Sequence, residues 1–122
     1  KQLKAELYFV ICPLSNVYIG NPIPDSDILH QFSSSICIGT DSLSSNTRLS
    51  ICEEMKYLTH LNPQLPFNQI LQWATLNGAS ALDIDKQYGS FEKGKTPGAV
   101  LLSHFDFESF RLTNKSTARR IV

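Results

Sequence analysis

Ile36-Cys37-Ile38-Gly39-Thr40-Asp41-Ser42-Leu43-Ser44-Ser45-Asn46 holds the residues best suited to chemistry in this chain. Ile36-Cys37-Ile38 is an apolar run of the kind expected for a strand buried on both faces. Gly39 stops it, and a small polar cluster follows with a single carboxylate, Asp41, near its head. A carboxylate just past a buried strand and before a helix stands where barrel and doubly wound enzymes hold a general base or a ligand. Taken locally, Asp41 or Ser42 equally suits a turn or the N-cap of the next helix, which is the simpler reading. The elements around the stretch decide between them.

Leu7-Tyr8-Phe9-Val10-Ile11-Cys12 is a second continuous apolar run, rich in aromatic and β-branched residues and ended by Pro13. It reads as a central parallel strand. Pro13 to Asn16 supplies loop residues, and Gly20 to Pro24 adds further breakers. Asp25-Ser26-Asp27 then caps a short helix carrying Ile28, Leu29 and Phe32. Strand, loop, helix and strand make a βαβ unit with parallel strands. Two parallel strands leave open edges and faces, so the expectation is a piece of a larger barrel, with self-association as its consequence.

Leu49, Cys52, Met55, Leu58 and Leu61 recur at helical spacing, with Glu53, Glu54 and Lys56 elsewhere on the wheel. Asn62-Pro63 ends that helix. Pro66 opens another expected to run to about Leu82, with Ile70, Leu71, Trp73, Ala74, Leu76, Asn77, Ala81 and Leu82 as its packing set. From Gln87 the texture changes. Tyr88 to Phe91, a turn through Gly94 and Gly98, and Ala99 to Leu102 predict strand, turn and strand. Phe105 to Phe107 and Phe110 to Leu112 alternate as further strands, and Ser116 to Val122 predicts a last short strand or tail.

The 122 residues suit one ordinary domain, and 11 basic against 11 acidic residues give zero net charge. Such a balance offers no electrostatic footprint for nucleic acid or an anionic membrane. No apolar run nears the roughly 18 residues of a membrane span. Cys12, Cys37 and Cys52 lack metal-type spacing and do not sum to a disulfide set, so they read as buried thiols in a reducing cytoplasm. The chain begins at Lys1 and its only methionine is Met55, which suits a piece of a longer product.

Read together, four motifs resemble the C-terminal part of the metal-dependent amidohydrolases, in the branch of cytosine-, guanine- and adenosine-type deaminases and triazine chlorohydrolases. Cys12-Pro13-Leu14-Ser15-Asn16 is similar to the Cys-Pro-x-Ser-Asn that ends the family's seventh barrel strand. Gly39 to Asn46 resembles its Gly-Thr-Asp-Ser-x-x-Ser-Asn after strand eight. Ala74 to Leu82 resembles an Ala-Thr-x-Asn-Gly-Ala-x-Ala-Leu helix, and Gly89 to Lys95 the Gly-Ser-Leu-Glu-x-Gly-Lys turn into a small β-sandwich. The chain departs from the pattern at Asp83, where glycine is usual, and at Pro97-Gly98, where Ala-Asp is usual.

The resemblance implies an α/β fold: a partial TIM barrel (strands seven and eight with their helices) over residues 1–85, and strands of the flanking β-sandwich over 86–122. It implies hydrolysis of a C–N or C–Cl bond of a nitrogenous ring in a longer parent, on a small-molecule substrate. Asp41 would be ligand to a divalent metal, zinc or iron, as well as general base and proton shuttle. Ser42 and Asn46 would shape its loop; either could face substrate, though holding the turn is the simpler task. No His-x-His is present, and His30, His60 and His104 read as isolated histidines. A hydrolytic metal needs about three or four protein ligands, so the expectation is a chain inactive and metal-free alone, awaiting its missing N-terminal part. The alternative is a non-catalytic binding or assembly module derived from the same fold.

Overall fold

The computed structural model describes residues 7–122. Strand β1 (Phe9–Ile11) lies parallel to β2 (Ile36–Ile38), pairing Phe9 with Ile36 and Ile11 with Ile38. Helices α1 (Pro13–Ile19) and α2 (Ser26–Gln31) form the crossover between them. Then come α3 (Ile51–Leu61), α4 (Phe67–Ala74) and α5 (Leu76–Ala81), and an antiparallel pair, β3 (Val100–Asp106) and β4 (Arg111–Arg120). The parallel βαβ unit thus forms as its apolar runs imply.

Its burial is one-sided. All three residues of β2 are buried beneath α3, α4 and α5. In β1, by contrast, Phe9 and Val10 are exposed and only Ile11 is buried. The burial expected of a central parallel strand is therefore not seen in β1. Among the described residues its only strand neighbour is β2, and Phe9 packs edge-on against Phe32 with ring centroids 5.4 Å apart.

The residues after β1 form a helix directly and not the expected loop. Pro13 occupies the first helical turn, where its missing N–H costs nothing, and the Asn16 amide bonds the Cys12 carbonyl. Gly20 ends α1 in the left-handed region at φ 77°. Asp25 caps α2 as anticipated, its Oδ1 accepting from the Ile28 amide.

Ser50 caps α3 by accepting from the Glu53 amide. Cys52, Met55 and Leu58 face the core, whereas Leu49 and Leu61 stay exposed. The single helix expected from Pro66 to Leu82 breaks at Thr75 (φ −132°, ψ −83°). The Thr75 hydroxyl donates back to the Leu71 carbonyl, a bond that bends helices. Ile70, Trp73 and Asn77 are buried, while Leu71 and Leu82 are not. Trp73 Nε1 and Asn77 Nδ2 both donate to the Ser33 carbonyl, and Asn77 Nδ2 also donates to Ile36 at the start of β2.

Asp83 follows α5 at φ 57°, with the Ile84 amide reaching back to Ala79. This is the left-handed C-terminal position where glycine is favoured. The strand expected over Tyr88–Phe91 is replaced by turns: Gly89 and Gly94 lie at φ 87° and 95°, and the Thr96 amide closes onto the Gln87 carbonyl. Of the last short strand or tail expected from Ser116, the strand forms, as the second half of the longer β4. A bulge at His104 (φ 53°) is satisfied when Ser116 and Thr113 hydroxyls donate to its carbonyl. The hairpin docks on α3 through Leu112 and on Phe67 through Phe105, ring centroids 4.8 Å apart. Among the described residues no helix is long and apolar enough to cross a membrane.

Candidate active site

The Gly39 amide bonds the Ile11 carbonyl at 2.9 Å, continuing the ladder one residue past β2. A Cβ at Gly39 would meet Val10 Cγ1 at 2.7 Å and Cys12 Sγ at 3.2 Å, so only glycine fits this approach of the two strand ends. Two residues on, Asp41 stands exposed at the joint carboxyl end of β1 and β2. Its backbone is left-handed, φ 56°, a conformation aspartate tolerates better than most residues but still at a cost.

Three donors hold its carboxylate. Ser45 Oγ lies 2.9 Å and Ser15 Oγ 3.1 Å from Oδ2, and the Ser42 amide bonds Oδ1 at 2.9 Å. Hydrogen bonds from Ser45, Ser15 and the Ser42 N–H, in that order, hold the Asp41 carboxyl below the ordinary aspartate value. It is thus an anion with acceptor capacity left over. Ser45 belongs to the same loop, but Ser15 comes from α1 and is itself buried. The Cys12 thiol beside this loop is pushed up chiefly by burial, and all three cysteines are free.

Asn46 lies beneath the loop, 3% exposed. Its amide donates to the Thr40 carbonyl and to Glu54 Oε1, both at 2.8 Å, and its Oδ1 accepts from the Arg48 amide. All its polar atoms are committed, leaving it the turn-holding part of the two tasks the sequence allows. Ser42 is exposed, its hydroxyl accepting only a long bond from the Ser44 amide, 3.3 Å.

Glu54 is the residue that the pattern hides. Adjacent acids at the start of a helix suggest a solvated first turn, yet Glu54 is wholly buried. Burial pushes its carboxyl up, opposed by the Leu14 N–H and Asn46. The available signal is spacing: Glu54 lies four residues before Leu58, on the face that packs inward.

Among the described residues no three His, Cys, Asp or Glu side chains gather closely enough to hold a metal ion. His30, His60 and His104 lie on α2, α3 and β3, away from the Asp41 loop. Asp41 suits a hard cation as one oxygen donor, but alone it does not make a hydrolytic metal site.

A carboxylate fixed by serines at the end of paired parallel strands marks an α/β protein with a candidate site at the strand ends. Residues 1–117 match the amidohydrolase family, and the chain belongs to that family. It is 32% identical over 97 residues to the 5-methylthioadenosine/S-adenosylhomocysteine deaminase of Halalkalibacterium halodurans, covering 74% of this chain and 22% of that protein. Similarity extends to the 5'-deoxyadenosine deaminase of Methanococcoides burtonii, 35% over 80 residues, covering 60% of this chain and 18% of the relative. The adenosine deaminase of Helicobacter pylori is 33% identical over 101 residues, covering 78% of this chain and 24% of its own length. The chain therefore spans about a quarter or less of these relatives.

Proposed function

We propose that this chain is the C-terminal part of a metal-dependent amidohydrolase, in which Asp41 moves the proton during hydrolytic removal of an amino group from a nitrogenous ring. Residues 1–85 would supply barrel strands seven and eight with their helices, and residues 86–122 strands of a flanking β-sandwich. The relatives named as adenosine-type deaminases favour a purine nucleoside as substrate. The carrying observation is the exposed, ionised Asp41 at the joint end of two parallel strands, one oxygen held by two serine hydroxyls and the other by the Ser42 amide.

In the deamination, the oxygen of water bonds to the ring carbon bearing the amino group, and the C–N bond breaks. Asp41 accepts a proton from the water and delivers it to the departing nitrogen, so that ammonia leaves and the carboxylate is restored. A divalent metal, zinc or iron, supplies Lewis-acid activation of water where it is bound. Asp41 would be this chain's donor to it, with histidines brought by the rest of the protein. Ser42 is the exposed polar group beside Asp41 available to substrate, and Asn46 holds the turn. A chlorohydrolase of the same branch would differ in its leaving group and keep the same carboxylate.

The cytoplasm is the proposed compartment, in keeping with three free cysteines. Alone, the chain would be inactive and would self-associate through β1, where Phe9 and Val10 lie uncovered beside an edge unpaired among the described residues. A single monomeric species at micromolar concentration in sedimentation would refute that association.

The reading is tested by ammonia release from adenosine in the longer protein, with and without Asp41→Asn. A loss of about 10²–10⁴-fold is expected from removing a general base. Undiminished turnover in the variant would remove Asp41 from the chemistry. A longer protein that binds nucleosides without releasing ammonia would favour the binding module instead.

A further inference from the structure

Glu54 is a carboxylate sealed inside the protein, with no ion pair to a cation among the described residues. Among the described residues its partners are two N–H donors: the Leu14 amide at 2.8 Å on Oε2 and Asn46 Nδ2 at 2.8 Å on Oε1. Burying a carboxylate is costly, and an apolar side chain would fill the same space without that cost. What the carboxylate adds is a link between two segments.

On one side it holds the peptide before Ser15, whose hydroxyl donates to Asp41. On the other it holds Asn46, whose second amide hydrogen bonds the carbonyl of Thr40, the residue before Asp41. From this we infer that Glu54 is a positioning residue for Asp41, gripping both the backbone that carries its carboxylate and the helix that supplies one of its hydroxyl donors. The inference rests on the proposed function for its catalytic meaning. The clamp itself is a matter of geometry.

The chemistry requires glutamate. Both oxygens receive donors, so the group must be an acceptor at each. Glutamine keeps the size but turns an NH₂ toward one of those donors and breaks one arm. The unpaired N–H then frees the loop that holds Asp41 in its left-handed conformation.

The test is Glu54→Gln in the full-length protein, with the neighbouring surface change Glu53→Gln as reference. Hydrogen–deuterium exchange and steady-state kinetics are measured together. Peptides over residues 12–16 and 38–46 are expected to lose protection about tenfold, the loss of a bond of ordinary strength. Those over 99–122 should keep theirs. The kcat is expected to fall about 10–100-fold, as for other residues that orient a ligand-bearing group, with KM within about twofold.

Unchanged exchange over 38–46, or a uniform rise across the chain with kcat intact, would overturn the inference. Should Glu54→Gln not fold, Asn46→Ala cuts the arm to Thr40 while keeping the Leu14 bond, and the same loss of protection over 38–46 is required. Asp41→Asn separates the two claims. Full turnover there removes the catalytic reading, and exchange still decides whether Glu54 holds the loop.

Discussion

Two aspartates in this protein are held in much the same way and for different ends. Asp41 accepts from two serine hydroxyls and a backbone amide. Asp106, at the end of β3, accepts from the Ser109 hydroxyl and from the Glu108 and Ser109 amides. Asp41 is exposed and Asp106 half-buried, and the bonds around each pull its carboxyl below the ordinary aspartate value. Every partner of Asp106 lies within three residues, so it closes a turn that ends with Phe110 in the left-handed region. Asp41 draws a donor from α1, 26 positions away, and its loop is anchored by a buried acid on α3. Similar local bonding becomes a candidate site only when other elements converge on it.

The largest expected contrast is in turnover. Asp41→Asn in the longer protein should lose about 10²–10⁴-fold in kcat, whereas Asp106→Asn should stay within about twofold of wild type in the same ammonia assay. An equal loss in both would erase the distinction. Ser15→Ala should follow, lowering kcat about 10–100-fold by removing the one Asp41 donor that comes from outside its own loop. Ser109→Ala should leave kcat unchanged, since its bond serves only a turn.

Gly39→Ala comes next, because the new methyl would strike Val10 and Cys12 at the strand ends. A loss of about 1–3 kcal/mol by urea unfolding is expected from such overpacking. Gly78→Ala, with open space at the new Cβ and a helical backbone, should raise stability slightly.

A smaller effect separates the acids by pH. Asp41 and Asp106 have lowered folded values, so their contribution is present above the ordinary aspartate value of 3.8 and is lost as pH falls through the folded values. Glu54 is raised, so its contribution is full below the ordinary glutamate value of 4.5 and is lost as pH rises through its folded value. Urea midpoints across acid pH should therefore keep their low-pH fall but lose the decline above 4.5 in Glu54→Gln. Asp106→Asn should do the reverse and soften the fall at low pH. The smallest effect is Asp83→Gly. Relief of the left-handed backbone after α5 outweighs the added chain entropy by about 0.5–1 kcal/mol, read as a rise in thermal midpoint.

Much of this was legible in the order of residues. Apolar runs ending at Pro13 and Gly39 marked two strands, and Asp25 and the Ile51–Leu61 periodicity marked helices, because these depend on neighbours within one or two turns. The family's motifs singled out Asp41 for the same local reason. The break at Thr75 and the turns of 88–98 escaped because propensity there yields to a hydroxyl back-bond and to positive-φ glycines. Glu54 escaped because an acid in a first helical turn looks alike whether solvent or a buried amide faces it.

The residue order by itself determined the strands, the helix caps and the carboxylate at a strand end, since steric and hydrogen-bonding preferences of short segments suffice for them. Only the tertiary structure decided that Ser15 and Glu54 converge on Asp41, and that β1 keeps an uncovered apolar face. Both depend on which distant surfaces meet, and no local preference encodes that.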